Sequence, residues 1–173
     1  MKHLAGQAVR LVRARGLSLL DRLGPTRSER ATIAEAAAYW STPASGSWQA
    51  NSHWHDGISG HWEHVGTDHL ALYRKLARVL DRPPSLGTVV EWGVGGGANA
   101  AAFAPHADRF IAVDVVADSL EESRRRTAAV CDTPYESILI DVESPETAIG
   151  DIGHARCDLF LCVYVLELVP SPA

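Results

Sequence analysis

Three carboxylates in this chain stand where short apolar, β-branched runs end: Glu91 after "TVV", Asp114 after "FIAV" and Asp141 after "SILI". Glycines at 93, 95, 96 and 97 follow the first of them in "EWGVGGGANA". A strand closed by such a loop and followed by a helix-prone segment brings a ligand against backbone N–H groups, because glycine takes left-handed turns and puts no side chain in the way. In an open parallel sheet that place, beyond the carboxyl ends of the strands, is where nucleotide-like ligands bind. The spacing Gly93-x-Gly95-x-x-Ala98 also satisfies the dinucleotide fingerprint, so the loop alone does not choose the ligand. Glu91 does: a carboxylate two residues before the loop repels a pyrophosphate and attracts an ammonium group. Asp114 comes 23 residues after Glu91, close to the roughly 20-residue offset at which an acid meets ribose hydroxyls. Asp141 is placed to accept from an exocyclic adenine amine. Together the acids describe an adenosine that carries a cationic amino acid. Each aspartate keeps a plainer reading beside this one, as the cap of a following helix.

A second dense patch precedes the glycine loop. "NSHWHDGISGHWEHVGTDH", residues 51–69, holds five of the eight histidines and two of the five tryptophans. His53 and His55 share one side of an extended chain, and His61 and His64 share one side of a helix. Neither spacing is a recognised zinc pattern and no cysteine joins them, so no metal is expected. Histidines bonded within a loop are the plain alternative.

The order and spacing of the strand-end motifs resemble those of class I S-adenosylmethionine-dependent methyltransferases. "EWGVGGG" is similar to the family's first motif, "IAVD" to its ribose-binding acid, "IDV" to its adenine-binding segment, and "CDLFLCVYVLELV" to its fourth strand, over about residues 86–170. The resemblance implies an α/β fold with a Rossmann-like parallel sheet in the order 3-2-1-4 and helices on both faces. It implies S-adenosyl-L-methionine as cofactor, held by Glu91, Gly93, Gly95, Gly97, Asp114, Val115, Asp141, Val142 and Val163. The acceptor is expected to be a small molecule, methylated by in-line displacement at a sulfonium methyl. Holding nucleophile and methyl in line does most of that work, and a base is needed only for a weakly nucleophilic acceptor. Similar enzymes cover the cofactor with N-terminal helices and loops. On that pattern Trp40, Asn51, Trp54 and Tyr164 are expected at the lid or substrate side, and His53 or His55 is the candidate base. Leu168 stands where small-molecule members often carry a histidine. The competing readings are a non-catalytic cofactor-binding or interaction module and an NAD-linked oxidoreductase.

The elements that must position these groups follow from periodicity. Residues 4–23 and 28–40 read as helices, and 41–60 as a long loop rich in Ser, Gly, Pro and Asn. From Thr67 onward Leu70, Tyr73, Leu76, Ala77 and Leu80 recur at helical steps. Strands are then expected at 88–92, 109–116, 136–142 and 157–165, with helices between them, which is the alternation of βαβ units. The chain therefore divides into an N-terminal helical extension with a lid loop, 1–66, and a partial Rossmann-like domain, 67–173. The family's core has seven strands, and this sequence stops soon after the fourth, as a fragment or a reduced domain would. An uncovered fourth strand invites pairing with a second copy, so a homodimer through 157–165 is expected.

Composition limits the partners. The 173 residues carry a net charge of -5 at pH 7, which gives no general attraction for nucleic acid. Residues 1–30 nevertheless hold seven Lys or Arg against two acids, so a basic arm precedes an acidic body. No apolar run of signal-peptide or membrane-spanning length is present, so neither membrane crossing nor secretion is expected. Cysteines 131, 157 and 162 are odd in number and lack ligand or disulfide spacing, which fits a reducing cytoplasm.

Overall fold

The computed structural model describes residues 29–41, 62–142, 144–153 and 157–165. Helix α1 spans Glu29–Ser41 and helix α2 spans Trp62–Val79. Then strands and helices alternate: β1 (Thr88–Trp92), α3 (Ala98–Phe103), a 3-10 turn (Ala104–His106), β2 (Arg109–Asp114), α4 (Ala117–Ala128), β3 (Tyr135–Leu139), α5 (Thr147–Ile152) and β4 (Leu159–Leu161). The four strands form one parallel sheet in the order β3-β2-β1-β4. Order and class are as the periodicity and the resemblance predict. The chain reverses its winding between β1 and β4, so the ligand crevice of a doubly wound sheet opens above the ends of those two strands.

Alternation along each strand sorts the core into two layers. Val89, Phe110 and Ala112 face one side, where Leu70 of α2, Ala100 and Phe103 of α3 and Leu120 of α4 cover them. Val90, Ile111, Val113 and Ile138 face the other side, with Ala148 of α5. Glu91 shares the parity of Val89, and Asp114 that of Ala112, so both acids point to the side of α2, α3 and α4. Burial on both faces is what makes these strands continuous apolar runs in the sequence.

Helix α2 begins five residues earlier than the pattern from Thr67 indicates, so the expected division after residue 66 falls inside one helix. Its inward side carries Leu70, Tyr73 and Ala77, whereas Leu76 and Leu80 are exposed. The 3.6-residue period explains this, since Leu76 stands about a third of a turn away from Leu70. Gly66 lies where α2 crosses the start of α3, and a Cβ there would stand 2.0 Å from the carbonyl oxygen of Ala98. Alanine would favour the helix by up to about 1 kcal/mol. A backbone atom cannot move aside as a side chain can, however, and overpacking costs about 1–3 kcal/mol. Gly66→Ala is therefore expected to lower stability, measured as a lower urea midpoint; an unchanged or higher midpoint would contradict this crossing.

The fourth strand is shorter than the 157–165 run. It pairs with β1 at Leu159, Phe160 and Leu161, and Tyr164 then takes a left-handed backbone with φ 59° that ends the extended chain. Cys157, the first residue of the expected run, is exposed, because it precedes the paired residues.

Candidate functional site

The loop after β1 is built by hydrogen bonds to the end of β2. Gly93 and Val94 donate their N–H groups to the carbonyl oxygen of Val113, at 2.7 and 3.2 Å, and Gly97 donates to that of Val94 at 3.1 Å. Gly93, Gly95 and Gly97 all have positive φ. At Gly97 space is restrictive as well: a Cβ would lie 2.6 Å from Ser123 Cα on α4. The four glycines thus close a tight turn against a neighbouring helix, which is the reason that their spacing is visible in the sequence.

Asp114 ties the loop to the sheet. Its Oδ2 accepts from the Gly95 N–H at 2.9 Å and its Oδ1 from the Val116 N–H at 3.0 Å. Burial pushes its carboxyl above the ordinary range, against the lowering effect of the N–H donors of Gly95, Val116 and Val115. Each oxygen still has lone-pair capacity after one donor, so the group can accept from a ligand diol without giving up the loop.

Glu91 is the unusual group. It is 2% exposed, its Oε1 accepts from Asn99 Nδ2 at 2.8 Å, and its Oε2 is buried with no partner. Burial pushes its pKa from 4.5 to about 8; the Asn99 bond works against this, and repulsion from Asp114 adds to it. A buried carboxylate oxygen without a donor is costly, and such groups cluster where a ligand completes the bonding. Asn99 has a second bond: its Oδ1 meets His69 Nδ1 of α2 at 2.8 Å. The His69 ring lies 6.3 Å, centroid to centroid, from that of Tyr164 beyond β4.

Trp62, at the start of α2, donates its indole N–H to the carbonyl oxygen of Gly96 at 3.1 Å. The Arg126 guanidinium of α4 lies 5.7 Å from its ring centroid. α2 is thereby fastened over the outer side of the glycine loop.

The expected site residues divide into three groups. Glu91, Gly93, Gly95, Gly97 and Asp114 come together at the ends of β1 and β2. Asp141 is exposed and Val142 half-buried, both just beyond β3; Val163 and Tyr164 follow β4, and Val115 packs against the core on the opposite sheet face. His53, His55, Asn51 and Trp54 lie outside the described residues; Trp40 sits in α1. Asn99 and His69 were not singled out by motif reasoning. The one available signal was that His69 closes the histidine-rich stretch and Asn99 lies in the first turn of the helix after the glycines. Among the described residues no group of three or more His, Cys, Asp or Glu could hold a metal ion, and no helix is long and apolar enough to cross a membrane.

No protein-family model matches the chain, and no curated protein matches it by sequence. The parallel strand order 3-2-1-4 with helices on both faces defines a Rossmann-like fold. Among solved structures the chain is similar to the magnesium protoporphyrin IX methyltransferase of Synechocystis, solved with bound SAM, with a TM-score of 0.55 and 16% identity over 84% of this chain and 67% of that one. It also aligns with a SAM-dependent methyltransferase of Leishmania major, with a TM-score of 0.42 and 16% identity over 65% of this chain and 42% of that one. A third alignment is to phosphoethanolamine N-methyltransferase 1 of Haemonchus contortus, solved with phosphoethanolamine and S-adenosylhomocysteine, with a TM-score of 0.41 and 16% identity over 66% of this chain and 22% of that one. At these identities the first likeness establishes the fold.

Proposed function

We propose that the chain is an S-adenosylmethionine-dependent methyltransferase, or the cofactor-binding part of one, acting on a small-molecule acceptor. The observation that carries this reading is the buried, unpartnered Oε2 of Glu91 beside a glycine loop that Asp114 closes. An ammonium group supplies the missing donors at Glu91, and an adjoining ribose diol supplies donors for Asp114. A ligand with both groups at opposite ends of one adenosyl amino acid fits this donor and acceptor set. When bound, it supplies an electrophilic methyl group on a sulfonium. The chain's own residues then bind and orient: Glu91 takes the cationic end, Asp114 the sugar, and α2 with Trp62 covers the loop. The NAD reading is disfavoured on the same grounds, because a pyrophosphate brings no donor for the bare Oε2 of Glu91.

Calorimetric titration with S-adenosylhomocysteine, S-adenosylmethionine and NAD tests this directly. The first two are expected to bind with measurable heat and to raise the melting temperature, and NAD is expected to do neither. Folded protein that responds to neither adenosyl ligand would exclude the proposal, and a response to NAD alone would favour the oxidoreductase.

A further inference from the structure

Behind Glu91 stand two side chains joined to it in a chain of hydrogen bonds. Asn99 gives its Nδ2 to Glu91 Oε1, and its Oδ1 meets His69 Nδ1. An amide oxygen has only lone pairs to offer, so His69 must carry its proton on Nδ1 and donate it. With His69 donating, the Asn99 amide is held with its NH2 toward Glu91. A donor facing an acid favours the charged form. Turned over, Asn99 would present its oxygen to Glu91, and only a protonated Glu91 could bond to it.

We propose that His69 is a positioning residue for the ammonium end of the cofactor: by donating to Asn99 it holds the amide orientation in which Glu91 faces the ligand as a carboxylate. This rests on the reading of Glu91 as the ammonium acceptor. Other groups act on Glu91 from the elements packed around it. Asp114 of β2 repels its charge, and Tyr135 of β3, whose hydroxyl is bonded to Ser123 Oγ at 2.6 Å, is close enough to feel it. From β4 its register partner is the apolar Leu161. The Asn99 bond is the one side-chain donor that reaches Glu91 among the described residues. Its orientation therefore decides how readily Glu91 gives up its proton.

The test compares two ligands across pH on the full chain. S-adenosylhomocysteine carries the amino-acid end, and 5′-methylthioadenosine lacks it but shares the adenosine. Wild-type affinity for S-adenosylhomocysteine is expected to rise with pH until the ligand's own ammonium group begins to lose its proton. In His69→Phe the rise is expected about one pH unit higher, which is about a tenfold loss of affinity on the rising limb. His69→Asn, whose side-chain amide N–H can stand in for Nδ1–H, is expected to restore the wild-type profile. Affinity for 5′-methylthioadenosine is expected to stay unchanged throughout. If His69→Phe does not fold, His69→Ala and Asn99→Ala should show the same upward shift. A profile for S-adenosylhomocysteine that does not move, or a loss shared equally by both ligands, would overturn the role of His69 while leaving the cofactor reading intact. Binding of neither ligand by folded wild-type protein would overturn both.

Discussion

Replacing Glu91 with glutamine is expected to flatten the pH dependence of stability and, at about pH 8.5, to weaken S-adenosylhomocysteine by roughly ten- to a hundredfold, the loss of one charge-assisted hydrogen bond of about 1.5–3 kcal/mol. The stability effect follows from proton linkage. Glu91 in the folded, unliganded chain keeps its proton up to about pH 8, whereas the unfolded chain releases it near 4.5. Folding is therefore favoured by the full contribution of this group below the unfolded value. That contribution is lost as pH rises through the window to the folded value, at up to about 1.4 kcal/mol per pH unit. The raised carboxyl of Asp114 acts in the same direction from its own ordinary value of 3.8 upward. Glutamine has no proton to lose, so the urea midpoint of Glu91→Gln should fall less between about pH 5 and pH 8 than that of the wild type. Parallel profiles for the two proteins would refute the burial of an ionisable Glu91.

Ligand binding should reverse this linkage. An ammonium group against Oε2 stabilises the carboxylate, so S-adenosylhomocysteine should displace close to one proton per site near neutral pH. Calorimetry in buffers of different ionisation enthalpy measures that number. It should vanish in Glu91→Gln, and it should be absent for 5′-methylthioadenosine in either protein. The thermal shift produced by S-adenosylhomocysteine in the wild type should correspondingly grow as pH rises from about 6 to about 8.

Asp114→Ala is expected to have the larger effect on the protein as a whole. It orphans the N–H groups of Gly95 and Val116, both of which Asp114 accepts. A buried donor left unsatisfied costs about 1–3 kcal/mol; the Val116 N–H is buried and meets that condition, whereas the Gly95 N–H is half-buried and loses less. Binding should suffer as well, because the ribose loses a charged acceptor and the glycine loop loses its tie to β2; a loss of about a hundredfold or more corresponds to about 2.7 kcal/mol. Because both ligands share the ribose, Asp114→Ala should weaken S-adenosylhomocysteine and 5′-methylthioadenosine alike, whereas Glu91→Gln should weaken only the first. Asp114→Asn separates the structural part. An amide can satisfy one of the two N–H donors but turns its own NH2 toward the other, so it should fall between wild type and alanine in urea midpoint. Unchanged binding of both ligands to folded Asp114→Ala would remove this residue from the site.

The strands, their parallel order and the glycine turn were legible in the sequence because each has a local cause. "TVVEW" and "RFIAVD" are buried on both faces, so they appear as unbroken apolar runs. The glycines at 93, 95 and 97 are needed for positive φ, so they appear at fixed spacing. Where local pattern and tertiary context compete, the pattern failed. The run 157–165 keeps only Leu159–Leu161 as strand because β1 supports it on one side and Tyr164 turns out of the sheet. The leucines of α2 did not announce which of them would meet the sheet, since a helix resting on one neighbour buries a narrower stripe than its apolar residues can fill.

The chemistry divides in the same way. That acids stand at the ends of β1 and β2 and that a glycine loop lies between β1 and the next helix could be read along the chain, because those properties depend on residue type and on local backbone conformation. It took the packed layers to show that Glu91 has one oxygen on Asn99 and the other bare, that Asp114 holds Gly95, and that His69 rather than any other described histidine stands behind the site. His69 and Asn99 are 30 residues apart and meet only because α2 crosses α3 at Gly66. A hydrogen bond between side chains of two packed helices leaves no period or spacing in the chain, and the burial that pushes Glu91 up to about 8 belongs to the assembled layers and to no single segment.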